Sequence, residues 1–184
     1  TAAVYGEPKY TPIDEKHPKT PINTYGRTKL MIENIMDDYD KAYGLKSVRL
    51  RYFNVAGFDE RYDWIKKEKK PETVLPKFAE NISQNLPCKI NGTGENMRDY
   101  IHVLDVAVAH KKALKFIFDY HGVYKENIGT GESHSVNEVV SCIENILGRP
   151  INKSYGTFRA GDAKNVNISS KSHNIDWEPQ FSFK

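Results

Sequence analysis

The chain is short of several things, and each shortage narrows what it can be. Cysteine is scarce: Cys88 and Cys142 are the only two in 184 residues, far apart and in no metal-ligand spacing. That excludes a disulfide framework and a zinc knuckle, and two reduced thiols, with Cys142 expected in a helix core, suit a cytoplasmic protein. The histidines form no ligand set, and none is assigned a metal or catalytic role. No apolar run approaches the roughly 18 residues that a membrane span needs, and the opening Thr1-Ala-Ala-Val-Tyr5 shows no basic segment leading into an apolar one. Charge of one sign is not in excess either. A net charge of +3 is too small to argue for nucleic acid, and the run Lys66-Lys67-Glu68-Lys69-Lys70 is interrupted by Glu68 and followed by Pro71, as in a solvated loop. There is no internal repeat and no low-complexity segment. With 39% hydrophobic and 28% charged residues, the composition is that of one water-soluble globular domain.

What is present alternates between strand and helix patterns. Thr1 to Tyr5 looks like the end of a strand that begins before the sequence does, so the chain is expected to be the later part of something longer. Pro12, Pro18 and Pro21 predict an extended loop up to Asn23. A helix is predicted from about Tyr25 to Tyr43, with Met31, Ile32, Ile35, Met36 and Tyr39 as a core stripe and Gly44 as its stop. Lys46 to Asn54 alternates as a strand, Val55 to Lys70 suits a loop or lid, and Leu75 to Gln84 suits a helix with Pro76 in its first turn. Short strands are predicted at Lys89-Ile90 and from Arg98 to Val103. Asp105 is expected to cap a helix reaching Tyr120, with Val106, Ala109, Ala113 and Ile117 on one face. Asn127-Ile-Gly-Thr-Gly131 ends a strand in a glycine turn. Ser135 and Glu138 make a capping box for a helix closed by Gly148 and Pro150. A strand near Lys153, a loop at Arg159-Ala160-Gly161-Asp162 and a helical turn near Ser170 follow. This order predicts an α/β fold with a largely parallel sheet, whose ligands settle at the carboxyl ends of strands. Thr1, Asn54 and Gly129 are placed at or near such ends.

The stretch with chemistry in it is Tyr25-Gly-Arg-Thr-Lys29, because residues four apart share a helix face. If both heads point into one cleft, the ammonium favours the phenolate and makes Tyr25 a usable general base. A Tyr and a Lys at this spacing also occur on many helices with no such role. Among the remaining candidates, the carboxamide of Asn54 at a strand end has donors for a phosphate oxygen, and Arg98 and Arg159 carry forks that suit phosphates or remain surface residues. Tyr52 or Phe53 could be core, since alternate strand residues face opposite sides.

Taken in order, Thr1-Ala-Ala-Val-Tyr-Gly-Glu7, Tyr25-Gly-Arg-Thr-Lys29, Leu50-Arg-Tyr-Phe-Asn-Val-Ala-Gly57, Arg98-Asp-Tyr-Ile-His-Val103 and Asn127-Ile-Gly-Thr-Gly131 resemble the extended short-chain dehydrogenase/reductases, most closely the UDP-glucose 4-epimerases. The likeness reaches Trp177-Glu-Pro179. It implies a Rossmann-like, mostly parallel sheet of which only the later strands are present, with residues 1–57 in the dinucleotide-binding domain. Residues 58–184 would then be mainly substrate-binding, with segments near 98–131 returning to the main sheet. It implies NAD as cofactor, a UDP-sugar as substrate and a homodimer pairing through helices such as that from Tyr25 to Tyr43. Thr1, Tyr25 and Lys29 stand in the catalytic places: Tyr25 takes the proton of the sugar 4-hydroxyl as hydride leaves carbon 4 for the nicotinamide, Thr1 holds the reacting oxygen, and Lys29 grips the nicotinamide ribose. The 4-keto sugar then turns over and receives the hydride on its other face. Tyr52 and Phe53 match the aromatic pair around the nicotinamide, and Asn54, Arg98 and Arg159 match diphosphate and nucleoside contacts. Asp162 matches a ribose-binding acid, Val74 and Leu75 a segment against the sugar diphosphate, and Lys89-Ile90-Asn91 the strand beside the uracil.

The sequence departs from the family in several places. Asn91 stands where many relatives stack an aromatic ring on the base. Val166 stands where a bulky Tyr often excludes N-acetylated sugars, so use of both UDP-glucose and UDP-N-acetylglucosamine is a hypothesis. The loop before Arg98 is shorter than in many such epimerases, which admits related sugar-nucleotide epimerases or dehydratases. The glycine-rich dinucleotide fingerprint is absent, and neither Gly92-Thr93-Gly94 nor Gly129-Thr130-Gly131 substitutes for it. Two other readings stand beside the enzyme: a nucleotide-sugar-binding fragment without a redox partner, and an amino-terminal threonine nucleophile at Thr1.

Overall fold

The structure, a computed structural model, describes residues 1–59, 61, 73–163, 165–166 and 174–183. Its helices are α1 (Thr24–Tyr43), α2 (Val74–Ser83), α3 (Val103–Asp119) and α4 (Val136–Leu147). Its strands are β1 (Ser47–Tyr52), β2 (Asn54–Ala56), β3 (Cys88–Asn91), β4 (Met97–His102), β5 (Val123–Ile128), β6 (Ser133–Ser135), β7 (Lys153–Gly156) and β8 (Asn165–Val166). The basic run at 66–70 and the turn expected near Ser170 lie outside the described residues, as does most of the expected lid. The lid's first residues, Val55 and Ala56, belong to β2.

Strand pairing is mostly parallel. β1 pairs with β5, β2 with β4, β3 with β7 and β4 with β8, all parallel, while β4 and β6 are antiparallel. The result is an α/β fold of small sheets with helices packed on them. β1 lies between two helices because its residues alternate. Val48, Leu50 and Tyr52 pack toward the cluster of Ile101, Val106, Ala109, Ala113 and Ile128, which brings α3 against that face. A second core joins Val4, Tyr5, Ile13 and Phe53, and a third joins Phe78, Cys88, Ile90, Val140 and Ile151.

The opposite face of β1 carries Arg49 and Arg51, and this determines how α1 packs. Arg51 donates to both oxygens of Glu33, at 2.9 and 2.6 Å, and Arg49 lies 2.9 Å from Asp37. Two strand residues advance about 6.7 Å and four helix residues about 6 Å, so the spacings match and α1 runs antiparallel to β1. The helix therefore turns an acidic face inward. Met31, Ile32, Ile35 and Tyr39, expected as core, are exposed, and Met36 is half-buried.

Three other expectations are corrected. Ala2–Val4 is a 3-10 turn, not a strand end, because the Thr1 hydroxyl accepts from Ala3 N and the Ala2 carbonyl from Tyr5 N. The cap of α3 is His102, whose Nδ1 accepts from Leu104 N, while Asp105 accepts from Gln180 N and Phe181 N and so holds the 174–183 segment. Cys142 is half-buried and Cys88 is the core thiol. The capping box of Ser135 and Glu138 is as expected, with both bonds formed and Gly148 closing α4.

Candidate active site

Three pieces of chain meet at the first turn of α1. Asn23 caps it, its side-chain oxygen accepting from Gly26 N at 2.8 Å. Gly26 is buried against the turn after Thr1, where a Cβ would run into the carbonyl oxygen of Ala3 and the ring of Pro21. Only glycine permits this approach, and it brings the Thr1–Ala3 backbone to the helix end that carries Tyr25. Thr1 is half-buried, and its hydroxyl is engaged as an acceptor in the local cap.

Tyr25 and Lys29 are together but not enclosed. The Lys29 ammonium lies over the tyrosine ring, 5.5 Å from its centroid, and Tyr25 is 56% exposed. A cavity of about 460 Å³ lies elsewhere, lined by Asp14, Glu15, Lys16, Lys125 and Asn174. Tyr52 ends β1 close enough for the charge of Tyr25 to act on it. Burial first, and that charge second, push the Tyr52 hydroxyl above its ordinary pKa. This hydroxyl lies 2.7 Å from Nε2 of His110, whose Nδ1 faces the Val106 carbonyl at 2.8 Å. With Nδ1 donating to that carbonyl, Tyr52 is the donor to Nε2. Phe53 points the other way, into the core with Val4 and Tyr5.

Beneath this end lies a buried polar network that the sequence reading did not single out. Arg51 donates to the Tyr5 hydroxyl at 2.7 Å, Tyr5 donates to Asn127 Oδ1 at 2.6 Å, and Asn127 donates to the Ile13 carbonyl at 3.1 Å. Burial, outweighing Arg51, pushes the Tyr5 phenol up to about 12, so it stays protonated and can donate. At Glu33 burial opposes ionisation, yet the bonds and charge of Arg51 prevail and hold the carboxyl below its usual range. The signals were the two arginines at alternate positions of β1 and Glu33 two turns beyond Tyr25.

The other predicted substrate residues are spread over β2, α2, β3, β4, the 159–162 loop and β8. Asn54 opens β2 beside Tyr100 of β4, and Arg98 of β4 is in register with Val166 of β8. The Arg98 guanidinium donates to the carbonyls of Met97 at 2.8 Å and Ala163 at 2.5 Å, and lies 3.8 Å from Asp162. Arg159 is exposed on the same 159–162 loop. That loop returns to α1, because Asn23 Nδ2 donates to the Gly161 carbonyl at 2.9 Å. Val74 and Leu75 are half-buried in the first turn of α2, and Lys89 and Asn91 are exposed on β3.

Neither glycine turn is free to cradle a phosphate. The amides of Thr130 and Gly131 donate to the buried carboxylate of Asp99, at 2.9 and 2.7 Å, so an internal anion already occupies them. Burial pushes that carboxyl above its ordinary value despite these donors. The Gly94 carbonyl accepts from Asn137 N, and the Asn137 side chain fills the space beside Gly94. Among the described residues no group of three His, Cys, Asp or Glu could hold a metal, and no helix is long and apolar enough to cross a membrane.

Residues 1–128 match the family model described as the NAD dependent epimerase/dehydratase family. The UDP-glucose 4-epimerase of Rhizobium meliloti is 38% identical over 191 residues, covering 98% of this chain and 58% of that protein. Among solved structures, the UDP-glucose 4-epimerase of Bifidobacterium longum in complex with NAD+ and UDP superposes with a TM-score of 0.85 at 31% identity, over 99% of this chain and 58% of that one. The UDP-N-acetylglucosamine 4-epimerase of Methanobrevibacter ruminantium, in complex with UDP-N-acetylmuramic acid, gives 0.82 at 30% identity, over 98% and 56%. The chain thus spans a little over half the length of the relatives it matches.

Proposed function

Because this chain belongs to the NAD dependent epimerase/dehydratase family, we propose that it is the base-bearing and nucleotide-sugar-binding part of an NAD-dependent UDP-hexose 4-epimerase, interconverting UDP-glucose and UDP-galactose through a 4-keto sugar. The observation that carries this reading is the meeting at α1. Tyr25 and Lys29 stand side by side there, near Tyr52, and Asn23 ties that helix end to the loop bearing Arg159 and Asp162.

In this reading Tyr25 removes the proton of the 4-hydroxyl and returns it, with the Lys29 ammonium held beside its ring. Thr1 already accepts from Ala3 N, which leaves its hydroxyl proton to donate to the reacting oxygen. Asn54, Arg98 and Arg159 hold the diphosphate, and Asp162 a ribose hydroxyl. The donor set fits the nicotinamide half of NAD: an exposed Lys29 ammonium for ribose hydroxyls, with the Tyr52 ring close to Tyr25. When bound, NAD supplies the hydride acceptor. The pyrophosphate cradle is assigned to residues outside these 184, since the amides of Thr130 and Gly131 are taken by Asp99. The apolar residues exposed along α1 support a homodimer through that helix, and two free thiols support a cytoplasmic setting. The valine at 166, smaller than the tyrosine that often stands there, is the ground for proposing a substrate range that includes N-acetylated sugars.

The test is interconversion of UDP-glucose and UDP-galactose by the protein containing this chain, loaded with NAD. Tyr25→Phe is expected to lower kcat about 10²–10⁴-fold with UDP affinity unchanged. A fully active Tyr25→Phe variant, or a wild-type protein without interconversion, refutes the reading.

A further inference from the structure

One carboxamide does two jobs at the site. Oδ1 of Asn23 accepts from Gly26 N at 2.8 Å, completing the first turn of the helix that carries Tyr25 and Lys29. Nδ2 of the same side chain donates to the Gly161 carbonyl at 2.9 Å, across 138 residues of sequence. The contact is close as well as polar: Gly161 has φ +79, and a Cβ there would sit 3.3 Å from the Asn23 Cβ and 3.7 Å from the Ile22 carbonyl oxygen. Beyond Gly161 the loop is held in turn by Arg98, which donates to the Ala163 carbonyl and faces Asp162. The helix end, the 159–163 loop and β4 are therefore one connected unit.

We infer that Asn23 is a positioning residue that clamps the nucleotide-sugar-binding loop onto the base-bearing helix, so that holding the nucleotide and aligning Tyr25 are a single event. The inference rests on the proposed epimerase function for what the loop binds. The residue type fits the task. Capping needs only an acceptor, which Asp and Asn both supply, whereas bridging to a carbonyl needs a donor on the same side chain, which Asp lacks. Asparagine provides both from one planar group.

That division gives a clean experiment. Asn23→Asp keeps the cap, at comparable strength, and removes the donor, placing a carboxylate against the Gly161 carbonyl. In the protein containing this chain, Asn23→Asp is expected to melt close to wild type, while the UDP dissociation constant and the KM for UDP-glucose both rise about tenfold and NAD retention is unchanged. Gly161→Ala, which crowds the same contact, is expected to move both constants in the same direction. Hydrogen exchange of residues 157–163 should quicken in Asn23→Asp whether or not the protein turns over. Unchanged UDP affinity, or unchanged exchange in that loop, overturns the clamp, and so does a loss of melting temperature with no loss of UDP affinity. A wild-type protein that binds no UDP defeats the proposed function, and the exchange experiment then still decides the clamp.

Discussion

Glu33→Gln removes the carboxylate facing a guanidinium that is 1% exposed. In the wild type the two groups share bonds of 2.9 and 2.6 Å, and Arg51 makes two more, to the Tyr5 hydroxyl at 2.7 Å and the Glu15 carbonyl at 3.4 Å. Breaking a buried pair by removing one partner costs about 3–5 kcal/mol. Glutamine still offers one acceptor and Arg51 keeps its other two, so the lower end applies, about 3 kcal/mol. For a chain of this size that is a fall of about 6–12 °C in Tm. The pH dependence has a definite sign. The Glu33 carboxyl is held below its usual range, so its stabilisation is fully present above the ordinary glutamate value of about 4.3 and is lost as pH falls through the lower folded value. The gap between wild type and Glu33→Gln should therefore be widest near neutrality and narrow on acidification. Urea unfolding followed by the fluorescence of buried Trp177 measures it. A loss under about 1 kcal/mol at neutral pH, against the cost expected for a buried pair, or a gap that does not change on acidification, refutes the reasoning.

Two further outcomes are expected. Gly26→Ala should destabilise by about 1–3 kcal/mol, because its Cβ meets the Ala3 carbonyl, although alanine is the better helix former by about 1 kcal/mol; a rise in Tm would contradict the close approach. These 184 residues alone should retain no NAD through purification and interconvert no UDP-sugars; nicotinamide absorbance in the purified polypeptide would contradict that.

Where local chemistry decided the structure, the sequence was readable. The capping box at Ser135, the αL stop at Gly44, the Val106-Ala109-Ala113 face of α3 and the alternation of β1 all appear where their residue types require. The inward face of α1 was not readable from the helix, because apolar periodicity points to Met31, Ile32 and Ile35. The partner strand overrides it, since two arginines at alternate positions need carboxylates opposite them. Asp105 looked like a cap but serves a segment some 75 residues later. The four-residue spacing of Tyr25 and Lys29 was legible, and the two side chains are found together. Asn23 was not, because its second bond depends on a loop 138 residues away.

The ion pairs between α1 and β1 also set a direction. Greasy helix faces tolerate small rolls and slides, since one methyl group replaces another. One forked contact, Arg51 on Glu33, and one ion pair, Arg49 with Asp37, spaced to match a helix turn and a strand repeat, favour a single azimuth and a single axial offset. The heading of Tyr25, two turns toward the amino end, is therefore inherited from alternate residues of a neighbouring strand. A substitution at Arg49 or Arg51 that leaves the protein folded would still be expected to mis-aim the phenol.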